Sequence, residues 1–220
     1  MSVITQYMVN QGVPQETVIL ILMLPIVATI IAFGRQVIGI RGFGIYTPLI
    51  ITFAFLATGL KYGLAIFIVI LLVGTLMRFL VRYIRLLYLP RMAIVLTAVA
   101  LAILAIFLEG AYSGRKGLIA SSIFAVLIMI TLVEKFVVVQ IERGAREAII
   151  LTIETLFLSI ICYWVAASVW LRNLVFIYPF WIIFGAVIIN ILLGKWTGLR
   201  LFEYWRFREV IKRVDLPEKK

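Results

Sequence analysis

Glu154 lies inside an apolar run, ILTIETLFLSIICYWVAASVWL (150–171), with Thr152, Thr155 and Ser159 within about a turn of it. An ionised carboxylate below headgroup depth is costly, so such a residue holds a proton, a cation or a basic partner such as Arg41 or Arg143, and hydroxyls beside it add lone pairs. The competing reading is structural: an interhelical hydrogen bond, or a carboxylate snorkelling to the near interface. Asn190 reads as an interhelical hydrogen-bonding residue. Pro25 and Pro179 interrupt two other apolar runs, where they either kink a helix or open carbonyls toward a cavity.

Other chemistry is excluded by residue type. There is no histidine, which removes imidazole bases, His-dependent triads and His metal ligation. The sequence shows no paired intramembrane aspartates, so neither an enzyme activity nor a metal or cofactor is expected. Cys162, the single cysteine, reads as a small buried hydrophobe.

Two basic groups remain. Arg78, Arg82 and Arg85 follow i, i+4, i+7 and share a helical face, with Arg91 close behind. With Arg41, Arg143 and Arg146 they form a rim that either anchors to anionic headgroups or docks an anionic ligand or protein. The segment GIRGFGIYTP brings Gly39, Gly42, Gly44 and Pro48 together. It lacks the preceding strand and the lysine of a P-loop, so it reads as a tight turn entering a helix.

The elements that position these residues are membrane helices. Apolar residues make up 65% of the chain and the mean hydropathy is +1.17, far outside the range of ordinary soluble domains. Apolar runs fall at about 17–33, 45–60, 63–81, 92–108, 118–133, 149–171 and 174–193, which predicts an all-α polytopic protein with about seven crossings. The shorter runs are expected to borrow interfacial residues or to sit in thinned lipid.

Charge tests this count. With seven spans, 17 of the 21 cations fall on one side and only Lys61, Arg115, Lys116 and Arg172 on the other. Positive charge collects on the cytoplasmic side, so the N-terminus is expected outside and the C-terminus inside. Topology accounts for the net charge of +11 without nucleic acid. The N-terminus has no basic n-region or cleavage site, so no removable signal peptide is expected.

Aligning Arg41-Gly42 with Arg143-Gly144 also pairs Thr29 with Thr131, giving a parallel 3+1+3 repeat in which spans one to three match five to seven. Chance similarity between apolar segments is the alternative. Residues 1–197 are expected to form the membrane domain and 198–220 a basic cytoplasmic tail. Within the tail, Phe207, Val210, Ile211 and Val214 line one face of an amphipathic helix. Close glycines such as Gly39, Gly42 and Gly44 suit packing within one copy or a homo-oligomer.

Four stretches, at 24–64, 85–97, 140–157 and 192–209, resemble the seven-helix membrane domain usually found fused to an inactive transglutaminase-like domain in bacteria. A weaker likeness is to the membrane subunit of poly-gamma-glutamate synthase. The resemblance implies a multi-pass protein of the bacterial cytoplasmic membrane that acts without catalysis as a scaffold or conduit. Its expected setting is a complex making or exporting an amide-linked amino-acid polymer, with an ATP-grasp-type ligase as partner. About 16 residues precede the first run, so a transglutaminase-like domain is expected either on a separate chain or not at all. A stand-alone secondary transporter or channel is the alternative.

Overall fold

The structure, a computed structural model, describes residues 3–81, 83–84, 87–112 and 123–195, and every regular element among them is helical. In chain order these are α1 (Val3–Asn10), α2 (Gln15–Phe33), α3 (Tyr46–Thr58), α4 (Leu60–Val81), α5 (Tyr88–Tyr112), α6 (Ile123–Glu142), α7 (Ala145–Ala167), α8 (Val169–Ile177) and α9 (Pro179–Gly194). A π turn, Gly34–Ile38, continues α2. The 198–220 tail lies outside the described residues, as do Arg82 and Arg85.

Among the described residues, α2 with its π turn, α4, α5 and α7 are long and apolar enough to cross a membrane, and the α8–α9 pair makes a fifth if it is one span. Four expected runs take other forms. The run at 45–60 becomes α3, only 13 residues long. At ~1.5 Å per residue it reaches ~20 Å, short of a ~30 Å hydrocarbon core. Backbone conformation sets its limits: Gly39, Gly42 and Gly44 take positive φ ahead of it, and Gly59 (φ 79°) ends it. Protein, not thinned lipid, shields this short helix, because all its residues except Tyr46 and Ala57 are buried or half-buried.

The runs expected at 149–171 and 174–193 are divided differently. Helix α7 stops at Ala167, Ser168 is extended, and α8 meets α9 at a 105° bend. Pro179 explains the bend: its ring disfavours helical geometry at the residue before it, and Tyr178 sits at φ −124°, ψ 57°. Proline then occupies the first turn of α9, where its missing N–H costs least. The run at 118–133 is also displaced, with α6 continuing past Glu134 and Lys135 to Glu142.

The chain forms two compact units. One holds α1, α2, the glycine-rich turn, α8 and α9; the other holds α3 to α7. In the first, Val18, Ile19 and Met23 of α2 pack on Val175 and Phe176 of α8. Glu16 pairs with Arg172 at this end, while Asn190 meets Thr29 and Gln36 meets Leu193 further along. The contacts advance in the same sense on both segments, so α2 and α9 run parallel.

In the second unit α3 packs on α4, α6 and α7. Ser159 Oγ lies 3.1 Å from the Pro48 carbonyl, and Thr52, one turn on, lies against Cys162. Helices α3 and α7 are therefore also parallel, and α3 begins beside Ser159, ~21 Å along α7. Gly59→Ala tests the limit of α3. Open space surrounds the position, so only the positive φ opposes a side chain, and a loss of about 1 kcal/mol is expected in reversible unfolding in detergent.

Candidate intramembrane polar site

Residues Ala148, Leu151, Thr152, Thr155, Leu158, Ser159, Cys162 and Ala166 make the buried face of α7. Spacing of three and four residues aligns them on one stripe. Each hydroxyl on this stripe folds back on its own helix: Thr152 donates to Ala148 O at 2.7 Å, Thr155 to Leu151 O at 2.6 Å, and Ser159 to Thr155 O at 2.8 Å. A hydroxyl that donates in this way remains able to accept through its oxygen. Ser159 also lies 3.1 Å from the Pro48 carbonyl, to which Thr52 donates at 2.7 Å. Thr52 lies 3.3 Å from Ser159 O in turn. The Pro48 carbonyl thus lies beside two hydroxyls, where α3 meets α7.

Glu154 is half-buried on α7, nine residues past Ala145 and so ~14 Å from the helix start. It is offset by ~100° from the Thr155 stripe, on the flank of the face that meets α3. Thr47, in the first turn of α3, is buried and its hydroxyl has no hydrogen-bond partner among the described residues. The structure thus brings Ser159 and Thr52 together where α3 meets α7, with Thr155 and Thr152 one and two turns back on the same buried stripe and Glu154 offset from it on the same helix. Chemically this is an array of oxygen acceptors, suited to a proton or a cation.

Asn190 lies elsewhere, in the unit of α2 and α9. Its Nδ2 donates to Thr29 Oγ1 at 2.8 Å, and Thr29 donates to Pro25 O at 2.7 Å. Interhelical bonds of this kind contribute about 0.6 kcal/mol on average. A loss of about that size is expected for Asn190→Ala, measured by unfolding in mixed micelles.

The basic residues divide as well. Arg78 donates to the Gln140 carbonyl at 3.0 Å, so the C-terminal ends of α4 and α6 meet at one end of the unit. Arg143 follows three residues later and pairs with Glu147 at 3.5 Å, both side chains well exposed. Arg146 is exposed, as is Arg41, while Arg91 is half-buried in the first turn of α5. Gly39, Gly42 and Gly44 all take positive φ, and Pro48 lies in the first turn of α3, as a tight turn entering a helix requires.

Sequence reasoning missed Thr52 as a partner of Ser159 and Thr29 as a partner of Asn190. A signal was present in the Pro-x-x-x-Thr spacing, found at Pro25–Thr29 and Pro48–Thr52. The threonine hydroxyl there reaches the carbonyl one turn back, on the proline.

These features define a polytopic, all-helical membrane protein with polar helix contacts in its interior. The chain belongs to the family described as seven transmembrane helices usually fused to an inactive transglutaminase, whose model matches residues 3–211. No curated protein and no solved structure is detectably similar to it.

Proposed function

We propose that the protein is a noncatalytic membrane subunit, a scaffold or conduit, of a complex that makes or exports an amide-linked amino-acid polymer or peptide with an ATP-grasp-type ligase. Membership of a family whose members are usually fused to an inactive transglutaminase carries this reading. Helices α2 to α7 and the α8–α9 pair supply the seven membrane elements. Parallel pairing of α3 with α7, and of α2 with α9, is what an odd number of intervening crossings demands.

Gly42 and Gly144 both take positive φ just ahead of α3 and α7, which supports the parallel 3+1+3 repeat. In this reading the N-terminus faces out and the basic ends face the cytoplasm of a bacterium. The rim of Arg78, Arg82, Arg85, Arg91, Arg143 and Arg146 docks the ligase. A transglutaminase-like partner sits outside. Glu154, Thr152, Thr155 and Ser159 line the internal polar site.

Purification of the tagged full chain from native membranes tests this. Recovery with a ligase is expected, and the complex should dissociate when Arg143 and Arg146 are changed to glutamate. Recovery of the chain alone counts against the complex.

A stand-alone transporter is the second reading, favoured by the bent α8–α9 pair and by an α3 that starts partway along α7. Broken helices of this kind build midplane substrate sites. Solute flux into liposomes that is abolished by Glu154→Gln supports it, and absence of flux rejects it.

A further inference from the structure

The π turn after α2 places one arginine in unusual surroundings. Inserting an extra residue into the helical ring rotates Arg35 off the regular helix path, and Gln36 beside it donates to the Leu193 carbonyl at 2.7 Å. This bond ties the π turn to the end of α9. The chain then folds back through Gly39, whose N–H returns to Gly34 O at 3.0 Å. As a result the guanidinium of Arg35 comes over Gly44: its Nη1 lies 4.0 Å from where a Gly44 Cβ would stand, and no other non-neighbouring atom of the described residues lies within 4 Å of that point. At φ 69° Gly44 disfavours any side chain, so the gap in front of the guanidinium stays open.

Arg35 is half-buried, yet among the described residues it makes no hydrogen bond or ion pair. Every other half-buried arginine among the described residues is engaged: Arg78 with Gln140 O, Arg172 with Glu16, and Arg91 within its own surroundings. A guanidinium that has lost part of its water and gained no acceptor is in deficit. Its planar fork matches an oxyanion. The 19 residues of α2, Gln15 to Phe33, make ~29 Å of helix just before it, which puts Arg35 at headgroup depth, where phosphodiesters are the abundant oxyanion.

We propose that Arg35, facing the side-chain-free backbone of Gly44, binds a phosphoryl oxyanion, supplied either by a phospholipid headgroup or by a soluble phosphate. The phosphoryl oxygens take the guanidinium fork, and the missing side chain at Gly44 leaves room for the group to sit against the turn. This site is independent of the complex proposed above and survives if no ligase is found.

The test uses the full chain in mild detergent, delipidated and then titrated by native mass spectrometry with short-chain phosphatidylglycerol and, separately, with inorganic phosphate. Wild type is expected to hold one such ligand. Arg35→Gln should weaken binding about tenfold or more, and Arg35→Lys, which keeps the charge but loses the fork, severalfold. Binding of the lipid alone identifies a headgroup as the source, and competition by inorganic phosphate identifies a soluble one. Wild-type binding by either variant, or no binding by wild type, overturns the proposal. If Arg35→Gln does not fold, the affinity of Arg35→Lys decides between these outcomes.

Discussion

Replacing Gly74 with leucine is expected to destabilise the protein by about 3 kcal/mol and to lower its folded yield sharply. A Cβ at Gly74 would lie 2.6 Å from Val133 Cγ1 of α6 and 3.9 Å from both Val137 and Val99. Three helices, α4, α5 and α6, meet at this point, and Val99, Val133 and Val137 are among the most buried side chains. A core this dense has no slack, so the whole leucine side chain must be accommodated by moving a helix. Lipid offers helices no hydrophobic reason to associate, and close backbone approach through small residues takes that role. Gly74→Ala, with one added carbon, should cost about 1 kcal/mol or more. Reversible unfolding in mixed micelles checks both variants, and an unchanged stability for Gly74→Leu would mean that α4 and α6 do not cross there.

The second large effect concerns the joint between α3 and α7. Ser159→Leu is expected to lose about 2–3 kcal/mol, whereas Ser159→Ala should lose less than about 1. The contrast follows from geometry. Ser159 is fully buried with its Oγ 3.1 Å from the Pro48 carbonyl, so leucine has no space, while alanine forfeits only a hydroxyl whose carbonyl partner keeps Thr52. Helix α3 is short and bounded by left-handed glycines, so pushing it off α7 also removes the partner that shields it. The same stability measurement decides it. Equal losses for the two variants would show that the hydrogen bond, not the close approach, holds the helices together.

Much of the helical framework was legible in the sequence because lipid imposes a simple rule: apolar runs become helices and charges mark their ends. The run at 63–81 becomes α4, Leu60–Val81, which starts three residues earlier and carries Arg78 in its last turn, and the break at Arg143-Gly144 follows as well. What was not legible depends on residues distant in sequence. The run at 45–60 looks like any other span until Gly59 adopts positive φ and α6 and α7 supply the cover that lets a 13-residue helix persist. The bend at Tyr178 was only half visible. Pro179 announces an interruption, but whether the chain kinks or turns through 105° depends on α8 packing Val175 and Phe176 onto α2. For the polar site, the stripe from Thr152 to Ser159 could be read from spacing, while its partner across the interface, Thr52, required the parallel register of α3. Arg35 escaped notice because it reads as one more loop cation, and the π turn that holds it half-buried over Gly44 leaves no hydrophobic periodicity to detect.

The account rests on a bilayer-spanning bundle with its basic ends turned to the cytoplasm, and labelling accessibility tests this most directly. In a Cys162→Ala background, single cysteines are placed at Gln11 and at Arg146, both exposed, and a membrane-impermeant maleimide is added to intact cells. The account predicts labelling at position 11 from outside and at position 146 only after the membrane is opened. Labelling of both positions from the same face would contradict it.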